Sequence, residues 1–136
     1  MVRELSSVSR VGVVGAGTMG SGIAQVAATA GYDVVVRDIE RAYVDDGFET
    51  IDDGLERLVK RGDLTDADFE RARDRITGTT DLEALSECDV VVEAALERMA
   101  VKRDIFAELD EIVRSGAVLA TNTSTLSITT IAAATE

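Results

Sequence analysis

The sequence predicts an α/β fold: a doubly wound parallel sheet with an inserted helical hairpin. Three observations predict it. Short apolar runs alternate with amphipathic stretches along the 136 residues. The runs are continuously apolar rather than alternating, as in strands covered by helices on both faces. The first run leads directly into Gly15-Ala16-Gly17-Thr18-Met19-Gly20, a glycine-rich turn of the kind that links a strand to a helix.

The elements follow in order. Val11–Val14 is a buried strand. Met19, Ile23, Val26, Ala27 and Ala30 then recur at i, i+4, i+7, i+8 and i+11, which places them on one helix face, and Gly31 closes that helix. Val34–Val36 is the second strand, ending at Arg37-Asp38. From about Arg41 to Arg61 runs a long amphipathic helix whose apolar stripe is Val44, Phe48, Ile51, Leu55 and Leu58, stopped by Gly62. Thr65 caps a second helix with Asp66 and Asp68 in its first turn, running to about Arg75. These two helices form the hairpin. Ile76–Thr80 is a brief strand and Asp81–Ser86 one helical turn. Val90–Val92 is a buried strand preceded by Cys88, a small core residue. A helix from about Arg98 to Arg114 turns Val101, Ile105, Leu109 and Val113 inward. Ala117–Ala120 is the fifth strand, and Ser127–Thr135 a short last helix.

Composition narrows the chemistry. The length suits one domain. There is no histidine and a single cysteine, so the 136 residues contain no Ser-His-Asp triad, no His general base and no multi-Cys metal site; no metal ligand set is assigned. The formal net charge of −12 argues against nucleic acid and against anionic membrane surfaces. No apolar run is long enough for a membrane helix, and no signal peptide is visible, so the expectation is a cytoplasmic protein. Lysine occurs only at Lys60 and Lys102. An acidic, lysine-poor surface is what a high-salt cytoplasm favours, because salt screens self-repulsion; an ordinary acidic bacterial domain is the alternative.

The turn after the first strand is a dinucleotide site in its full context of strand, turn, helix and following acid. Gly15 permits the tight turn, Gly17 lets a pyrophosphate approach the backbone, and Gly20 lets the helix pack closely. Ala16, Thr18 and Met19 complete the loop, and the free N–H groups and dipole of the helix N-terminus favour phosphate. Asp38 lies 21 positions after Gly17, at the end of the second strand, where a carboxylate accepts the adenosine ribose hydroxyls and repels a 2′-phosphate. The expected cofactor is NAD rather than NADP in a Rossmann-type domain, with Arg37 and Arg41 close enough to soften the discrimination.

Four ordered blocks go beyond a generic nucleotide fold. Val13-Val14-Gly15-Ala16-Gly17-Thr18-Met19-Gly20-Ser21-Gly22-Ile23-Ala24-Gln25 resembles the nucleotide loop of the L-3-hydroxyacyl-CoA dehydrogenases, including the 3-hydroxybutyryl-CoA enzymes. Arg75–Leu82, then Val91-Val92-Glu93-Ala94 with Glu97 and Val101-Lys102, then Asn122–Ile128 agree with the same family. The resemblance spans Val11 to Ala134.

It implies the following. Glu97 and Lys102 contact NAD at the nicotinamide end, the alternative being an exposed i, i+5 pair on a helix. Asn122 belongs to the cofactor side, and Ser124 polarises the substrate hydroxyl and orients a catalytic histidine; a turn that caps the next helix fits the same residues. Lys60 and Arg61, at the hairpin, contact the CoA of an acyl-CoA substrate, against the plainer reading of a solvated helix end. Gly54 departs from the pattern where some relatives carry a CoA-binding serine. The family chemistry is hydride transfer between the C3 hydroxyl of an L-3-hydroxyacyl-CoA and NAD, with histidine as base. The resemblance therefore implies that residues 1–136 are an NAD-binding domain, truncated at its C-terminus. The catalytic His, its Glu partner and a helical, dimer-forming domain would then lie outside it. This chain alone would be inactive. The alternative is a stand-alone NAD-binding module without turnover.

Overall fold

The computed structural model describes residues 5–123 and 126–135, with Leu5 described by its backbone alone. Five strands, β1 (Arg10–Val14), β2 (Asp33–Arg37), β3 (Ile76–Thr79), β4 (Val90–Glu93) and β5 (Val118–Thr121), form one sheet. Their order is β3-β2-β1-β4-β5, and every neighbouring pair is parallel. The helices are α1 (Thr18–Thr29), α2 (Arg41–Lys60), α3 (Asp66–Asp74), α4 (Met99–Ile112) and α5 (Ile128–Ala132), and Leu82–Leu85 is a single 3-10 turn. Every strand and helix expected from the sequence is present.

Strand order explains where a ligand belongs. From β1 the chain winds outward through β2 and β3, then crosses back to pair β4 on the other side of β1. The two directions part at the carboxyl end of β1, leaving a crevice there. The two faces of the sheet bury separate cores. On one, Val11, Val13, Val34, Val36 and Ile76 pack against Ala24, Ala28, Ile51, Leu55 and Ala72. On the other, Val14 and Val91 meet Leu82, Leu85, Cys88 and Leu109. Each Val, Leu or Ile among these contributes about 1.5–3 kcal/mol when fully buried.

Two helix faces differ from the sequence reading. On α1 the buried residues are Gly20, Ser21, Ala24 and Ala28, while Met19 is 57% and Val26 67% exposed. The helix lies so close to the sheet that a Cβ on Gly20 would overlap the Gly15 carbonyl oxygen, so small residues take the inner positions. On α4 the buried residues are Lys102, Phe106 and Leu109, with Val101 and Ile105 only half-buried. The hairpin stands as expected. In α2, Val44, Gly47, Ile51 and Leu55 face inward. Thr65 Oγ1 accepts from the Asp68 N–H at 3.1 Å while Asp68 Oδ2 accepts from the Thr65 N–H at 3.0 Å, a reciprocal cap on α3. Among the described residues no helix is long and apolar enough to cross a membrane.

Candidate active site

A cleft of about 820 Å³ opens at the carboxyl end of β1. Its floor is Val14 to Met19, one wall is Arg37 to Ile39 with Tyr43 and Asp46, and the other is Ala94 to Glu97 with Val101 and Ile105. The sequence-predicted loop residues Gly15, Ala16, Gly17, Thr18 and Met19 all line it, and Asp38 and Glu97 stand on opposite walls.

The floor is shaped to take phosphate. Gly15 turns at φ +111°, and a Cβ there would sit 2.5 Å from the Ala94 carbonyl oxygen; an L side chain is excluded twice over. Above Gly17 there is open space within 4 Å of where a Cβ would lie. Gly17 is also the N-cap of α1, and with no side chain it leaves the first-turn N–H groups without a side-chain cap. Donors, dipole and room coincide there, which is what a pyrophosphate requires.

Asp38 ties that floor to the β2 wall. Its Oδ2 accepts from the Ala16 N–H at 2.8 Å and its Oδ1 from the Ile39 N–H at 2.7 Å. Each oxygen keeps further acceptor capacity for a ribose hydroxyl. The two neighbouring arginines are otherwise engaged: Arg37 Nε donates to the Thr80 carbonyl at 3.1 Å, and Arg41 donates to the Gly78 carbonyl at 3.3 Å and to Asp45 at 3.0 Å.

On the opposite wall the structure rearranges the sequence reading. Lys102 is neither exposed nor directed into the cleft. It is fully buried, and its Nζ donates to both oxygens of Glu93 at 2.8 and 2.7 Å, with Glu97 Oε1 3.8 Å away. The cause is the tighter face of α4, which turns position 102 inward. Glu93, to which the sequence reading gave no role, is the hub of this cluster. A charged residue closing an otherwise apolar strand was the only signal available in the sequence. Glu97 is partly exposed and accepts from Thr123 Oγ1. Asn122 is exposed and anchored by its backbone N–H to the Glu93 carbonyl at 2.8 Å. Turn capping in this segment falls to Thr123 and Ser127, whose hydroxyls accept from Leu126 N–H and Thr130 N–H. Ser124 lies outside the described residues.

Lys60 and Arg61 are not brought to the cleft. Both are exposed at the far end of α2, and Arg61 pairs with Asp63 at 3.3 Å. From Tyr43 to Arg61 is about 27 Å along the axis at ~1.5 Å per residue. Gly54 is occupied by packing: a Cβ there would run into the Gln25 side chain of α1.

The family model described as "3-hydroxyacyl-CoA dehydrogenase, NAD binding domain" matches residues 10–136. The chain belongs to this family. NAD is accordingly its cofactor. Among relatives, a probable 3-hydroxybutyryl-CoA dehydrogenase of Deinococcus radiodurans is 47% identical over 125 residues, covering 92% of this chain and 45% of the relative. The 3-hydroxybutyryl-CoA dehydrogenase of Mycobacterium tuberculosis is 49% identical over 131 residues, covering 96% and 46%. In the crystal structure of the (S)-3-hydroxybutyryl-CoA dehydrogenase of Ralstonia eutropha the match has a TM-score of 0.91 at 46% identity, covering 95% of this chain and 46% of that one. The chain thus spans about half the length of these 3-hydroxyacyl-CoA dehydrogenase relatives.

Proposed function

We propose that this chain is the cofactor-holding portion of an NAD-dependent 3-hydroxyacyl-CoA dehydrogenase, oxidising the C3 hydroxyl of an L-3-hydroxyacyl-CoA or reducing the matching ketone. The observation that carries the reading is the cleft at the carboxyl end of β1, with Asp38 and a glycine floor at one end and Glu97 at the other. Bound there, NAD supplies the hydride acceptor. The chain's own residues do the holding. N–H groups of Gly17, Thr18 and Met19 receive the pyrophosphate, Asp38 receives the adenosine ribose, and Gly20 keeps α1 close enough for the floor to form. Glu97 and Asn122 stand at the nicotinamide end, and Lys102 acts there through its carboxylate partners. Ser124 orients the substrate hydroxyl by hydrogen bonding. Lys60 and Arg61 receive the CoA phosphates at the far end of α2.

No histidine is present in the 136 residues, and Asn, Ser and Thr side chains do not exchange protons readily near neutral pH. Following the family resemblance, we assign the base to a histidine in polypeptide outside this segment, together with the helical domain through which the resemblance implies dimerisation. The proposed setting is the cytoplasm, in keeping with the bacterial dehydrogenases among its relatives. The test is to incubate the chain with NAD and 3-hydroxybutyryl-CoA and follow NADH absorbance. The expected result is no turnover above the enzyme-free rate; catalysed NADH formation would overturn the assignment of the base to other polypeptide.

A further inference from the structure

We infer that Glu93 is a positioning residue for the nicotinamide end of the cleft, acting through Lys102 and Thr121. This rests on the reading of the cleft as an NAD site. Glu93 closes β4 and is fully buried. Its carboxylate takes four hydrogen bonds. Oε1 accepts from Lys102 Nζ at 2.8 Å and Thr121 Oγ1 at 2.6 Å; Oε2 accepts from Lys102 Nζ at 2.7 Å and the Ala95 N–H at 2.7 Å. Its backbone carbonyl takes a fifth, from the Asn122 N–H at 2.8 Å. One residue thus joins the end of β4, the loop that follows it, α4 and the end of β5.

The pair is poorly explained as a stabilising device. Burying two charges costs solvation that their attraction only partly restores, and apolar replacements of such pairs are often neutral or better. Its location explains it better. The Ala95 amide belongs to the Ala94–Glu97 wall of the cleft. Lys102 holds its ammonium 3.8 Å from Glu97 Oε1, close enough to bias that carboxylate toward one place without consuming it. Glu97 in turn accepts from Thr123 Oγ1, and Thr123 Oγ1 accepts from the Leu126 N–H. The chain Glu93–Lys102–Glu97–Thr123 carries the position of a buried carboxylate to the two loops that flank the nicotinamide end. The adenosine end hangs on Asp38 and the glycine floor and shares none of these bonds.

The test compares NAD with ADP, which carries the adenosine and diphosphate but lacks the nicotinamide riboside. Titrate wild type, Glu93→Gln and Thr121→Val by calorimetry. Glu93→Gln should weaken NAD about tenfold, the loss of hydrogen bonds to a charged group, and leave ADP within about twofold. Thr121→Val removes one of the hydrogen bonds and keeps the ion pair; it should weaken NAD about threefold and leave ADP unchanged. It decides the matter if Glu93→Gln does not fold. Equal losses for both ligands, or no loss for either, would overturn the positioning role. Wild type that binds ADP but not NAD, or neither, would instead overturn the reading of the cleft on which the inference stands.

Discussion

Asp38 serves two purposes with one carboxylate. It fixes the Ala16 amide before any ligand arrives and keeps acceptor capacity for a ribose. Asp38→Ala removes both, so NAD affinity should fall at least about tenfold by calorimetry; unchanged affinity would remove Asp38 from the site. At the other extreme is Cys88, fully buried between the sheet and the turn after β3. Burial pushes its thiol up from the usual 9.0 to about 11. The folded state therefore holds a proton that the unfolded state releases first. Stability from this group is complete below pH 9 and is lost as pH rises toward 11. Denaturant unfolding at successive pH values should show a steeper alkaline loss for the wild type than for Cys88→Ala. The residues of the glycine floor were legible because each answers to a backbone need with its own spacing. Lys102 was not: nothing in a sequence says whether a lysine at a helix's inner edge is solvated or has found a carboxylate nine positions back.

At the scale of elements, burial on α1 is carried by small residues. Large apolar residues suggest one face, yet close approach to the sheet selects Gly20, Ala24 and Ala28 instead. Periodicity found the helix but rotated it, because hydrophobicity and fit differ where the gap is narrow. A similar fit governs α2 against the turn before α1, where a Cβ on Gly47 would come within 2.8 Å of Ala16 Cβ and its carbonyl oxygen. Helix α3 depends more on its ends. Thr65→Ala should cost about 1 kcal/mol in denaturant unfolding by breaking the cap. Hydrogen bonds from the Thr65 backbone and side chain, then from Arg71, hold the Asp68 carboxyl below its usual 3.8. Its contribution is therefore present above pH 3.8 and lost as pH falls through the lowered value. Substituting Asp68→Asn should flatten that part of the acid unfolding curve.

For the whole molecule, the doubly wound parallel sheet was legible, since alternating strands and helices with a βα glycine turn admit few topologies; the order β3-β2-β1-β4-β5 is what the structure adds. The crevice follows from that order. The reach to Lys60 and Arg61 was not legible, because a one-dimensional pattern carries no length in space. Charge is the other global property. The net −12 falls on a surface from which one of the two lysines, Lys102, is withdrawn. Self-repulsion should make the fold salt-dependent, with the thermal midpoint rising as KCl is raised; a flat or falling midpoint would count against adaptation to salt. The most direct measurement of the central claim is a calorimetric titration of the 136-residue chain with NAD and, separately, NADP. Saturable one-to-one binding of NAD, with NADP clearly weaker, is the predicted result. No binding of NAD, or preference for NADP, would contradict the account.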